Sequence, residues 1–108
     1  MRGSFEFSPK EVDRVVTEPR AGNFALGVVG GDIFTVNYVG RSDIDVCAEL
    51  KSKPVGVTHR RFKFSYANSA KEAYEKECVN YHDFSPPENK IHPDRPKGTS
   101  LTCPVCGN

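Results

Sequence analysis

The chain has no tryptophan and one methionine, and its 15 Lys+Arg nearly balance 14 Asp+Glu. Near-neutrality removes bulk charge as a sign of a nucleic-acid partner, and leaves only a local basic patch to argue from. No stretch is apolar for the roughly 20 residues that a membrane span needs. The opening MRGSFEFSPKEVD lacks the apolar core of a secretory signal. A cytoplasmic protein without a membrane partner is the expectation. Four cysteines in that setting read as metal ligands or redox groups before disulfides.

What is present begins with length. At 108 residues one domain is expected, with a single modest core that gains from a staple. Apolar residues make up 37%, including seven Phe and four Tyr. The opening MRGS has the form of an expression-tag remnant. Ser8 followed by Pro9 and KEVDRVV predicts a short helix, capped by Ser8 and ended before Pro19 and Gly22. In NFALGVVGGDIFTVNYVG, two β-branched runs flank Gly30-Gly31-Asp32, a hairpin signal. Alternation would place Phe34, Val36 and Tyr38 on one face of the second strand. SDIDVCAELK predicts a helix capped by Ser42 or Asp43, with Ile44, Cys47 and Leu50 inward. RRFKFSYA alternates as a third strand. SAKEAYEKECVNYHDF, capped by Asn68 or Ser69, is the strongest helix.

From Ser85 the chain turns polar and proline-rich. A loop that long in a small domain is disordered or tied down. The expected fold is therefore α+β: a small three-stranded antiparallel sheet with flanking helices. An N-terminal helical extension covers 1–18, a β-β-α-β-α core covers 19–89, and an irregular tail covers 90–108.

The tail ends in CPVCG, so Cys103 and Cys106 form half of a tetrahedral site. Cys78 and His82 share a helical face at i, i+4. With the tail thiolates they complete a zinc set, and His92 is the substitute should His82 point away. A redox C-x-x-C normally opens a helix after a strand, and none follows here. Cys47 reads as core. Glu77 falls inside the inward stripe of Ala70, Ala73, Tyr74, Cys78 and Tyr81. A carboxylate there requires a lysine, solvent or a cation.

The element order, GNF at Gly22–Phe24 and YVG at Tyr38–Gly40 resemble the GIY-YIG nuclease domain. Ala73, Glu77, Pro86 and Asn89 match the family's spacing of a metal-binding Glu, a Pro and an Asn. The likeness spans roughly Pro19 to Asn89. It implies phosphodiester hydrolysis with Mg²⁺ or Mn²⁺ on Glu77, water oriented by Tyr38, and Asn89 holding its loop or touching the phosphate backbone. Phe24 replaces the first family tyrosine, and the position of the family arginine falls near Ala48 or Glu49. Arg41, Arg60 or Arg61 would have to substitute. Nucleic acid is the implied partner, DNA before RNA, with Lys51, Lys53, Arg60, Arg61 and Lys63 as its contacts. The alternative is a zinc-stabilised module that kept the fold, lost the chemistry, and binds nucleic acid or protein. A fragment of a longer protein also fits a chain ending after CPVCG.

Overall fold

In the computed structural model, which describes residues 1–108, the elements run β1 (Arg2–Glu6), α1 (Pro9–Val15), β2 (Gly22–Gly30), β3 (Ile33–Ser42), α2 (Val46–Lys51), β4 (Arg61–Tyr66) and α3 (Ala70–Phe84). The strands form one antiparallel sheet in the order β1-β4-β2-β3. The α+β expectation holds, but the sheet has four strands rather than three. The added strand is the N-terminal RGSFE, which takes in three residues of the MRGS read as a tag remnant. Arg2 lies opposite Phe64 and Glu6 opposite Arg61. The 1–18 segment is thus a strand and a helix, not a helical extension alone. No helix is long and apolar enough to cross a membrane.

Local chemistry starts each helix. The Ser8 hydroxyl accepts from the Glu11 N–H at 3.2 Å, with Pro9 at the first turn. Ser69 does the same for the Glu72 N–H at 3.1 Å. For α2 the cap is Asp45, not Ser42 or Asp43: its carboxylate accepts from the Ala48 N–H at 3.1 Å. Ser42 is spent one step earlier, accepting from the N–H groups of Ile44 and Asp45. The shift turns Val46 and Leu50 inward and leaves Ile44 80% exposed.

The sheet is covered on both faces. Phe24 and Leu26 of β2 and Phe62 and Phe64 of β4 pack against Val12, Val16, Val46 and Leu50 of the α1 and α2 regions. The alternate residues of β2 face α3, where the buried Asn23 amide donates to the Ala73 carbonyl at 2.9 Å. Gly40 lies opposite Phe24 in the register. A Cβ at Gly40 would fall 2.4 Å from Phe24 Cζ, so the glycine makes room for the ring.

The β2–β3 register shifts between Leu26 and Gly27, which face Tyr38 and Val36. Asn37 is the extra residue of this bulge. A bulge reverses the alternation on its own strand. Tyr38 therefore shares the face of Leu26, whereas Val36 and Phe34 share the opposite one. The expectation that all three lie on one face fails for that reason.

Because β3 ends the sheet, its outer N–H and C=O groups lack a strand partner. The segment after α3 supplies one. Glu88 N–H donates to the Asn37 carbonyl at 3.1 Å. The Asn89 side chain accepts from Val39 N–H and donates to Val39 C=O, both at 2.9 Å.

Gly40→Ala should lower stability by roughly 1–3 kcal/mol, the usual cost of overpacking. Gly30→Ala, whose Cβ meets nothing within 4 Å, should cost less than 1 kcal/mol or so by the same reasoning. Urea midpoints of the two variants check this.

Candidate functional site: an acidic cleft and a His-Cys cluster

Two arrangements of reactive side chains lie around the edge of β3 and the outer end of α3. In the first, Arg41 on β3 reaches α3, where its Nη1 donates to Glu77 Oε1 at 2.6 Å. Arg41 Nε donates to Asp43 Oδ1 at 2.7 Å, and the guanidinium sits 5.1 Å from the centre of the Tyr74 ring. Glu77 is 8% exposed, so it lies inward as its helical position predicts. Its partner is an arginine rather than a lysine or solvent. Burial pushes the Glu77 carboxyl up, and the Arg41 cation opposes it. Burial works against the Arg41 cation too, but Asp43 and Glu77 more than offset it and raise its pKa.

Arg41, Asp43 and Glu77 line an open cleft of about 290 Å³, together with Tyr38, Glu49 and Asp94. Tyr38 packs against Phe24 and His59, with ring centres 6.2 and 6.3 Å away, and Lys53 Nζ lies 5.6 Å over its ring. Tyr38, Arg41 and Glu77 thus come together from β3 and α3. Asn89 lines a neighbouring depression of about 310 Å³ with Tyr38 and Glu77, and its amide is committed to Val39. It holds the loop, which is one of the two roles expected. Four carboxylates and the Arg41 cation line the cleft, and Lys53 answers one of the four, Glu49. Asp43 was legible two residues after Arg41 in YVGRSD, whereas nothing in the sequence signals Asp94.

The basic residues expected to meet nucleic acid are dispersed. Lys51 pairs with Asp13 at 2.7 Å and Lys53 with Glu49 at 3.1 Å. Arg61 donates to Ser4 of β1, and Lys63 lies over the Phe34 ring on the opposite face from α1 and α2. Arg60 is exposed beside them.

The second arrangement gathers His82, His92, Cys103 and Cys106. One ligand-type atom from each lies within 4.8 Å of the others, so the four could hold a metal ion such as zinc. The donors fit a metal in detail. His82 Nε2 is buried with no hydrogen-bond partner. His92 Nδ1 lies 2.9 Å from the Pro93 carbonyl. A proton shared there leaves the lone pair of Nε2, which faces Cys106 Sγ at 3.5 Å. The Val105 N–H donates to Cys103 Sγ at 3.4 Å. Burial opposes ionisation of Cys103, yet the backbone N–H groups of Cys106 and Val105, with His92, hold its thiol down to about 5. A thiolate is the form that binds metal.

His92 takes the place expected for Cys78. Cys78 and His82 share a helical face, but Cys78 is fully buried against Tyr74 and Cys103. Burial pushes its thiol up to about 12. The spacing rule is satisfied, and the packing assigns Cys78 to the small core under the cluster. His92 lay in a segment without periodicity, so sequence offered it only as a substitute. Cys47 is half-buried beside the main core, with its Sγ 3.6 Å from Asp13.

No family model matches the chain, and neither a curated protein nor a solved structure matches it.

Protein isolated without chelator should carry an equimolar amount of a metal such as zinc. Cys78→Ala should retain it. His92→Ala and Cys106→Ala should weaken binding by more than the ~10–100-fold lost when an outer partner of a ligand is removed. Elemental analysis and competition with a chromogenic chelator read this directly. Separately, Asn89→Ala leaves the Val39 groups unpaired and should cost roughly 1–3 kcal/mol, read by thermal unfolding.

Proposed function

We propose that this chain is a divergent GIY-YIG-like nuclease domain that hydrolyses nucleic-acid phosphodiesters, with a structural zinc pinning its C-terminal tail. The observation that carries the reading is the meeting of Tyr38, Arg41 and Glu77 in one cleft. The meeting is not a consequence of sequence proximity, because Glu77 lies 36 residues from Arg41. The antiparallel neighbours β3-β2-β4, with α2 and α3 beside them, also suit the core that the resemblance implies.

The charge of the cleft bears on the cofactor. Asp43, Glu49, Glu77 and Asp94 would repel a phosphate, and a hard divalent cation prefers carboxylate oxygen. Glu77 Oε2 has no hydrogen-bond partner within the chain, whereas Oε1 is held by Arg41. Mg²⁺ or Mn²⁺ held by Glu77 with Asp43 or Asp94 would supply a Lewis acid beside the scissile phosphate. Arg41 contributes a planar guanidinium fixed by two carboxylates, suited to clamp phosphate oxygens as negative charge accumulates. Tyr38 supplies a hydroxyl at the same cleft to orient the attacking water. His82, His92, Cys103 and Cys106 would hold zinc with four protein ligands, the set of a structural rather than a catalytic site.

A second reading is a binding module without chemistry. It is favoured by the 2.6 Å pairing of Arg41 with Glu77, and by Ala48 and Glu49, neither of them an arginine, near the position where the family carries one.

The test is cleavage of supercoiled, branched and single-stranded DNA and of RNA with Mg²⁺ or Mn²⁺. Wild type should cut, Glu77→Gln should be silent, and Arg41→Ala should lose roughly 10³–10⁵ in rate, the range for a transition-state arginine. Circular dichroism confirms that each variant is folded. A folded, zinc-loaded wild type that cuts nothing on this panel refutes the hydrolytic reading.

A further inference from the structure

The acidic cleft does not end at β3. It shares Arg41, Asp43 and Asp94 with a larger depression of about 660 Å³ between Tyr74 and the tail. Arg95 and Lys97 also line this second space. Both are exposed, and neither takes part in any salt bridge or side-chain hydrogen bond of the chain. They differ in this from Lys51 and Lys53, whose charges are already answered by Asp13 and Glu49.

How these two cations are held is as informative as where they lie. His92 and Cys103 are both in the His-Cys cluster. A metal there closes the intervening residues, 93–102, into a loop. Within that loop Pro93 and Pro96 restrict the backbone. The Thr99 N–H and hydroxyl both donate to the Pro96 carbonyl, at 3.2 and 2.7 Å, and Pro96 is buried. Arg95 and Lys97 flank Pro96. They are therefore presented from a fixed backbone, and less ordering entropy is lost when they engage a ligand.

We propose that this metal-closed loop is a phosphate-binding arm, in which Arg95 and Lys97 hold the backbone of a nucleic-acid strand whose neighbouring segment lies over the acidic cleft. The identity of the ligand as nucleic acid rests on the nuclease reading above. The arm adds two unpaired cations beside the acidic cleft, in a depression that also carries Asp43 and Asp94. The carboxylate-rich cleft suits a divalent cation, and the two unpaired cations suit flanking phosphates. Because His92 and Cys103 close the loop, strand binding depends on the metal although the metal touches no nucleotide.

The experiment is fluorescence anisotropy of labelled single-stranded and duplex oligonucleotides with the zinc-loaded full chain, without Mg²⁺ or Mn²⁺. Cleavage is assayed in parallel on the same preparations. Arg95→Glu/Lys97→Glu should weaken binding about tenfold or more and flatten the salt dependence by roughly 0.7 per lost contact on a single strand. Lys10→Glu/Lys71→Glu, which changes net charge equally on α1 and α3, should shift affinity less than about threefold, because distant charges are screened. Stripping the zinc should lower affinity to about that of the Arg95/Lys97 variant. Equal losses in the two double variants, unchanged binding in the first, or no binding by wild type overturns the inference. Wild type that cuts while binding independently of Arg95 and Lys97 overturns the arm and leaves the nuclease reading standing. Binding through these residues with no cleavage does the reverse.

Discussion

A β-strand at the margin of a sheet carries backbone groups that must find partners, and in this chain that requirement organises the end of the molecule that holds the cleft and the His-Cys cluster. β3 is such a strand, and its Val39 is fully buried. Water cannot easily serve a peptide group there, so the Asn89 amide takes both its N–H and its C=O. That contact fixes where the chain goes after α3. It brings the following residues back along β3, sets Asp94 beside Arg41 and Glu77, and delivers His92 to His82. The cleft and the metal-ligating cluster therefore share one structural cause.

The balance of charge in the cleft follows from the same layout. Arg41 and Glu77 come from different elements and meet in a poorly solvated place, where an unpaired ion of either sign would be costly. Asp43 adds a second carboxylate to the same guanidinium. Arg41 is thereby held in one position between the two carboxylates.

Much of this was legible in the residues. Ser8-Pro9 and Ser69 mark helix starts through capping chemistry that acts locally, and Gly30-Gly31 marks the hairpin turn. Glu77 stood out because its helical position conflicted with its charge. What was missed needed information from elsewhere in the chain. Phe5 and Phe7 alternate around Glu6 as a strand would, but a strand is recognised by its partner, and β4 begins only at Arg61. The bulge at Asn37 reversed an alternation that reads as regular. Cys78 obeys the ligand spacing, yet its place under Tyr74 gives it to the core, and a histidine from an aperiodic loop stands in the cluster instead.

The pairing of β1 with β4 has a consequence for how the molecule comes into being. Arg2 lies beside Phe64, so the first strand made waits for the last one. On a ribosome, Phe5 and Phe7 emerge early and have no sheet to join until the segment through Tyr66 is free. The β2–β3 hairpin closes a short loop and can form sooner; the outer strand closes a long one and its loop entropy is larger. The tail that completes the His-Cys cluster is synthesised later still. Loop closure alone thus favours the hairpin, while the outer strand and the contacts that finish the cleft carry the larger entropic cost.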